Sequence, residues 1–180
     1  MRSCINPVVA DVLGELGGQA GNPVTNAYYF TYTSGPILAI TVGQVASRSI
    51  NITSGYDFIV QGIAARARFN AANTPAGTVP QAKIPRIVRD TLAGQTNANL
   101  GMIRWGWSIA NMPYQNQRVP MDLTTGEPGD PWFLPSRVYV PANSTILIEV
   151  ENNLPAIGGV ATPIIDVEVL FQGINATPRR

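Results

Sequence analysis

Two tryptophans form the most ligand-like feature of the sequence. Trp105 and Trp107 stand two positions apart in a predicted strand, so their side chains project from the same face. Such a pair could stack on a sugar or a nucleobase, with Arg104 on the opposite face. The pattern is also typical of a sandwich core or a subunit contact, where tryptophans dominate the binding energy, and we prefer that interpretation. The candidates to extend the cluster are Tyr114 and Trp132.

Carboxylates recur at the same spacing. Glu149 with Glu151, and Asp166 with Glu168, are each two positions apart and share a strand face. Paired carboxylates carry out glycoside hydrolysis, but that reaction needs a cleft and perturbed carboxyl groups, which the sequence does not indicate. We therefore interpret both pairs as solvated faces and predict that the protein is not an enzyme.

A further acidic group could bind a metal. Asp122, Glu127 and Asp130 lie in a loop rich in proline and glycine and could supply hard oxygen ligands to calcium. Their spacing matches neither an EF-hand loop nor a repeated β-helix motif. We predict no metal and no cofactor.

Composition excludes much catalytic chemistry and several partners. The 180 residues include no histidine and one cysteine, Cys4, so histidine triads and histidine-based metal sites are excluded. The formal net charge of +1 gives no general attraction for nucleic acid. Apolar stretches such as Pro36 to Val42 are far shorter than the ~20 residues of a membrane-spanning helix. We expect neither nucleic acid nor a membrane as a partner.

The basic residues are almost all arginine, with Lys83 as the only lysine. Two clusters stand out, Arg66 with Arg68 and Arg86 with Arg89. A guanidinium group suits planar, bidentate pairing with carboxylates, so we predict that these arginines form ion pairs across subunit contacts. Contact with the phosphates of packaged nucleic acid is the alternative, and it requires the clusters to share one face.

Short β-branched and aromatic segments alternate with turn residues along most of the chain, which is the pattern of strands. The stretch from Asn111 to Pro135 is polar and proline-rich, and is hard to reconcile with a helix. Gly62 is expected to mark a β-bulge. Roughly eight or nine strands without a long helix predict an all-β, antiparallel β-sandwich. The predicted strands are Ala27 to Thr33, Ile37 to Val42, Val45 to Ile52, Tyr56 to Phe69, Ile84 to Leu92, Met102 to Ile109, Pro131 to Val140, Thr145 to Glu151 and Pro163 to Gly173.

The chain divides into two predicted parts. Residues 1–26 form an N-terminal arm with a short apolar patch from Val8 to Leu13, followed by glycines. Two interpretations of the arm stay open, a frayed terminus and a segment that packs on a neighbouring subunit. Residues 27–180 form a single β-sandwich domain.

The order of several short motifs points to a family. They are Gly43-Gln44, Asp57-Phe58, Trp132-Phe133-Leu134-Pro135, Val140-Pro141-Ala142-Asn143-Ser144, Asn152-Asn153 and Phe171-Gln172-Gly173. Over residues 37 to 174 this order resembles small structural proteins of tailed-phage virions with a jelly-roll-like sandwich. The resemblance implies a capsid decoration or cement protein that stabilises the phage head by binding the major coat protein. It also implies that the protein forms a homo-oligomer, for which we favour a trimer. We expect this oligomer to assemble in the host cytoplasm and to lie on the capsid exterior.

Two other functions stay open at this point. One is a minor neck or tail component that connects rings of different symmetry. The other is a carbohydrate-binding receptor module that uses Trp105 and Trp107. The resemblance transfers no catalytic residue.

Overall fold

The described part of the chain contains ten strands, one 3-10 turn and one turn of α-helix. The structure is a computed structural model that describes residues 24–73, 83–84, 100–115, 117–157 and 159–178. A 3-10 turn spans Leu100–Met102. In chain order the other elements are β1 (Val24–Thr33), β2 (Ile37–Ile40), β3 (Val45–Asn51), β4 (Asp57–Phe69), β5 (Ile103–Ile109), β6 (Met112–Pro113), β7 (Val119–Pro120), α1 (Met121–Thr124), β8 (Trp132–Val140), β9 (Thr145–Asn152) and β10 (Ile165–Pro178).

The strands form two antiparallel sheets. The first sheet has the order β1-β10-β4-β8, and β2 also pairs with β10. The second sheet has the order β3-β9-β5-β6, and β7 also pairs with β5. Because β1 and β2 follow one another along β10, and β6 and β7 along β5, each pair acts as one interrupted strand. Eight strands then remain, in the orders 1-8-3-6 and 2-7-4-5, which is the connectivity of a jelly roll. The predicted antiparallel β-sandwich is confirmed.

Alternating residues fill the space between the sheets, as a strand with one buried face requires. In β9 the residues Ile146, Ile148 and Val150 are fully buried, while their neighbours are half-buried. β10 repeats the pattern from Ile165 to Phe171. The aromatic ring of Phe171 reaches across to the second sheet. In both strands the alternating apolar residues of the sequence are therefore the ones that are buried.

A buried asparagine ties the strand ends together. Asn152 is fully buried, and its Nδ2 donates hydrogen bonds to the carbonyl oxygens of Ile40 and Pro163, each at 2.9 Å. Its Oδ1 accepts the backbone N–H of Leu154 at 3.1 Å. Neither Asn152 nor Asn153 has a positive φ. The Asn152 side chain satisfies buried backbone groups that the ends of the strands leave unpaired.

The β-bulge predicted at Gly62 is present in β4. Gln172 of β10 pairs with Gly62, whereas the next residue, Gly173, pairs with Val60. Gln61 is therefore the extra residue, and the shift lets β4 bend over its neighbours. The pairing of β4 with β8 shifts at the same place.

The secondary structure differs from the sequence predictions at β1 and α1, and one predicted strand lies mostly outside the described residues. β1 begins at Val24 rather than Ala27, and the rest of the predicted arm lies outside the described residues. Of the strand predicted at Ile84 to Leu92, only Ile84 is described, and its N–H donates to the carbonyl of Ala67 at 2.9 Å. The exclusion of helix from the proline-rich stretch is wrong for α1. Pro120 precedes this helix as its N-cap, where the missing N–H costs no intrahelical hydrogen bond.

Candidate functional site

The two tryptophans of β5 lie in the core. Trp105 is fully buried, and its Nε1 donates a hydrogen bond to Thr124 Oγ1 at 2.8 Å. Trp107 is 6% exposed, and its ring centroid lies 5.1 Å from that of Phe171 in the opposite sheet. Neither ring offers a free face to a sugar or a nucleobase. The ligand-stacking alternative is therefore incompatible with the placement of these rings, because the apolar face of β5 is needed to fill the sandwich.

The other members of the proposed cluster lie apart from one another. Tyr114 is exposed and stacks on Trp107, with ring centroids 4.6 Å apart and an angle of 13° between the planes. Trp132 lies at the start of β8 in the first sheet, paired with Ile63, so it does not join the cluster. Arg104 lies on the opposite face of β5 and is exposed, as its position in the strand predicts.

The paired carboxylates lie on the outer faces of the sheets, where groups of the same chain form ion pairs or hydrogen bonds with them. Arg118 lies beside Glu149 and Glu151 of β9, with nitrogen–oxygen distances of 3.8 and 3.4 Å. On β10, Asp166 Oδ1 accepts the N–H of Ala39 and the Nδ2 of Asn70, each at 2.8 Å. This arrangement supplies counter-charges and hydrogen-bond donors to the acids.

Arg66 has a carboxylate partner within its own chain. Its guanidinium forms an ion pair with Glu168 on the adjacent strand β10, and its pairing across a subunit contact stays a prediction. Arg68 lies further along the same face of β4 and is exposed. Arg86 and Arg89 lie outside the described residues. The pairing of β4 with β10 brings Arg66 beside Glu168, and the sequence alone does not show which strands are paired.

The acidic loop shows no metal-binding geometry. Glu127 accepts a hydrogen bond from the Lys83 ammonium at 2.8 Å, and its backbone pairs with that of Asp130 around a Pro-Gly turn. Among the residues that the structure describes, no three histidine, cysteine, aspartate or glutamate side chains are grouped so that they could hold a metal ion. The calcium alternative, which included Asp122, thus has no support from this geometry.

An aromatic surface lies on the outer face of the first sheet. Strand pairing aligns Tyr29, Ile174, Ile59 and Tyr139 in one row across β1, β10, β4 and β8. The two isoleucines are buried, whereas Tyr29 is 53% exposed and Tyr139 is 49% exposed. In the next row Phe133, which is 63% exposed, lies opposite a glycine of β4. We call these five residues the aromatic patch.

The aromatic patch has a polar border. Further along the same face, Arg66 and Glu168 form their ion pair. At the patch itself, the Tyr29 hydroxyl donates to Gln172 Oε1 at 3.0 Å. Apolar residues in the middle with charged and amide groups around them are the usual anatomy of a protein–protein interface. Sequence analysis missed this surface because its members lie far apart along the chain.

One tyrosine of the aromatic patch has a perturbed hydroxyl. Burial and the adjacent carboxylate of Asp57, which accepts a hydrogen bond from the hydroxyl, raise the pKa of Tyr139 from the ordinary 10.0 to about 12. Asp57 Oδ1 also accepts the N–H of Ala142 at 2.9 Å. The carboxylate therefore connects the start of β4 to the turn that follows β8.

This arrangement predicts a pH dependence at alkaline pH. Because the folded pKa is raised, the native state holds a proton between pH 10 and 12 that the unfolded chain has lost. The free energy of unfolding should therefore fall as the pH rises through this range. Chemical denaturation of the Tyr139→Phe variant should show a smaller decline than wild type. Parallel curves for the two proteins above pH 10 would contradict the raised pKa.

A polar groove lies on the outer face of the second sheet. β6 pairs with Ser108 and Ile109, and β7 pairs with Arg104 and Trp105, so the chain leaves the sheet between them. The groove that results has a volume of about 540 Å³. We call it the polar groove because most of its lining residues are polar. These polar residues are Ser108, Asn111, Gln115, Gln117, Arg118 and Glu149.

The turn at one end of the polar groove is tight. Ala110 and Asn111 both have positive φ, at 46° and 66°, and they connect the paired residues Ile109 and Met112. Positive φ at both central residues is the requirement of a type I′ hairpin turn. The turn fixes where the Asn111 side chain enters the groove.

Comparison of the chain with protein-family models, with curated proteins and with solved structures finds no match. Across the residues that the structure describes, no helix is long and apolar enough to cross a membrane.

Proposed function

We propose that the protein is a non-enzymatic virion structural protein that decorates a phage capsid and stabilises it by binding coat subunits. The aromatic patch is the observation that supports a binding role. Soluble monomers rarely expose a large contiguous apolar surface, and such surfaces are typical of protein-binding sites. Tyr29, Phe133 and Tyr139 are large side chains that lose few rotatable bonds on binding, which favours them as anchors.

The edges of the first sheet add to this proposal. The patch extends from β1 at one edge to β8 at the other. Within the described residues, each of these strands is hydrogen-bonded to only one neighbouring strand within its sheet, β1 to β10 and β8 to β4. Edge strands with free backbone groups can pair with a strand of another chain. A coat subunit that covers the patch could therefore also extend the sheet.

The sequence resemblance supplies the identity of the proposed partner. It points to a decoration or cement protein on the capsid exterior that binds the major coat protein, as a homo-oligomer and by preference a trimer. The jelly-roll connectivity agrees with this choice, although a fold shared by many functions carries little weight alone. The function would rest on binding energy across the interface and would need no catalytic group.

The experiment compares phage particles with and without the protein. Cryo-microscopy of the virions should show the chain distributed over the coat lattice, and particles that lack it should lose resistance to heat. Adding the purified full chain back should restore that resistance. Absence from the virion, or unchanged heat resistance without the chain, would overturn the proposal. A single ring of copies at the neck or tail would favour the connector alternative.

The aromatic patch makes a specific prediction for binding. Phe133→Ala should weaken binding of the full chain to capsid shells made of the coat protein by about tenfold or more. The reason is that the substitution removes an exposed aromatic anchor. Leu123→Ala is the matched control, since Leu123 is 67% exposed on α1, away from the patch. Co-sedimentation with shells measures both affinities. Equal losses in the two variants would mean that the patch is not the contact surface.

A further inference from the structure

The polar groove has the dimensions of a small-ligand site. Its volume of about 540 Å³ lies within the usual range for such sites, roughly 300–1,000 Å³. Gly106 lies at its floor, opposite Glu149 of β9. A methyl group at Gly106 would come within 3.4 Å of Gln115 Oε1 and 3.6 Å of Arg118 Cγ. The absence of a side chain there keeps the floor of the groove open.

The chemistry of the lining favours a ligand rich in hydroxyl groups. The amides of Asn111, Gln115 and Gln117 each offer both donors and an acceptor, and the hydroxyl of Ser108 does the same. A sugar hydroxyl also donates and accepts, so it can use both kinds of group. Pro113 and Leu147 add apolar surface to the lining, which suits the C–H faces of a sugar ring.

The charges in the groove argue against an ionic ligand. Among the described residues of the lining, Arg118 is the one cation and Glu149 is the one anion, and they lie beside each other. Their charges offset one another, so the groove offers no net attraction for a phosphate or a metal ion. A neutral polar molecule is the class of ligand that remains.

Two polar atoms in the groove lack a hydrogen bond in the described structure. Gln115 Oε1 and Arg118 Nε are both buried and without a hydrogen-bond partner. Arg118 Nε lies 3.8 Å from Glu149 Oε2, which is too far for a direct hydrogen bond. A hydroxyl oxygen placed between them could accept from Nε and donate to the carboxylate. An unpaired buried polar group destabilises the structure, so a ligand that supplies the missing partners is favoured.

From these observations we infer that the polar groove binds a neutral saccharide. The site differs from the sugar-stacking alternative of the sequence, because its hydrogen-bonding groups lie on the outer face of β5; Trp107 also lines the groove, whereas Trp105 does not. It also lies on the sheet opposite the aromatic patch, so both surfaces can be occupied together.

NMR titration of the full chain tests the inference. The probes are glucose, galactose, mannose, N-acetylglucosamine, maltotriose and chitotriose, with glucose 6-phosphate as a charged comparison. The side-chain amide signals of Gln115 and Gln117 should shift and saturate with at least one neutral probe. No saturable shift with any neutral probe would overturn the inference. Binding of glucose 6-phosphate without binding of glucose would also overturn it, since the groove would then be an anion site.

Matched variants decide whether the groove itself is the site. Gln115→Ala should weaken saccharide binding about tenfold, and Gly106→Ala should weaken it by filling the floor. Gln172→Ala is the control, because it removes the same amide from the outer face of the opposite sheet. Thermal unfolding of each variant checks that it is folded. Unchanged affinity in folded Gln115→Ala would show that the saccharide binds elsewhere.

Discussion

Replacing Trp105 by alanine should lower the free energy of unfolding by about 3–5 kcal/mol, the usual cost of deleting a buried aromatic ring. Trp105 is fully buried between the sheets, and its indole lies against Phe171 of β10, with ring centroids 6.5 Å apart. The substitution would leave a cavity between the two sheets, and the close-packed side chains around it could not move enough to fill that cavity. Denaturant-induced unfolding of the full chain measures the loss.

A second contribution at Trp105 comes from its hydrogen bond. Nε1 donates to Thr124 Oγ1 at 2.8 Å, which ties α1 to the core strand β5. Trp105→Phe keeps much of the ring but removes this donor, so it should destabilise the protein less than alanine does. Trp132→Ala is the matched control, since Trp132 is 37% exposed at the start of β8 and should cost less than about 1 kcal/mol. Similar losses for Trp105→Ala and Trp132→Ala would contradict the assignment of Trp105 to the core.

The sequence carried a local signal for this burial. Ile103, Trp105, Trp107 and Ile109 share one face of β5, whereas the other face has Arg104, a glycine and a serine. An apolar face of this kind packs inward in a half-buried strand. The spacing of two residues alone showed only that the tryptophans share a face, and it left a ligand surface open. The character of the whole strand decides between the two interpretations.

The fold class was predictable because it depends on local patterns. Alternation in β9 and β10, turn residues between strands and the glycine at the bulge are all written in short stretches of sequence. These signals determine which face of a strand is buried, and a set of such strands without helices can pack only as a sandwich or a barrel. The order of the strands within each sheet does not follow from the same signals.

The aromatic patch and the polar groove depend on that order. Tyr29 and Tyr139 lie in one row only because β10 and β4 separate β1 from β8 in a particular register. A shift of one residue in any of these pairings would send one side chain to the opposite face. The groove depends on where the chain leaves β5, between Pro113 and Val119. Register and strand interruptions arise from contacts between distant residues, which a single sequence does not display.

The ion pair of Arg66 shows the same limit for electrostatics. The preference for arginine suggested carboxylate partners, and Glu168 is one, but it lies on the adjacent strand of the same sheet. Residue type indicated the chemistry of the pair, whereas register decided that it forms within the chain. The pair therefore borders the aromatic patch on the outer face of the first sheet.

The close approach of β4 and β10 at the bulge leaves no room for a side chain at Gly173. A methyl group at Gly173 would overlap the carbonyl oxygen of Ile59 and come within 3.0 Å of the Phe58 ring. The obstacle is backbone in a central strand pair, so the two strands must separate. Gly173→Ala should therefore lower the free energy of unfolding by at least about 3 kcal/mol, at the upper end of overpacking effects.

The matched control is Gly129→Ala in the exposed turn before β8. A methyl group there meets no atom within 4 Å, and the residue is not in the left-handed region, so its stability should stay within about 1 kcal/mol of wild type. Separation of the strands at Gly173 would also displace its neighbour Ile174, which is a buried member of the aromatic patch. Any folded fraction of Gly173→Ala should therefore bind coat shells more weakly than Gly129→Ala. Equal stability of the two variants would show that β4 and β10 can separate at the bulge at little cost, and the patch would then rest on a deformable sheet.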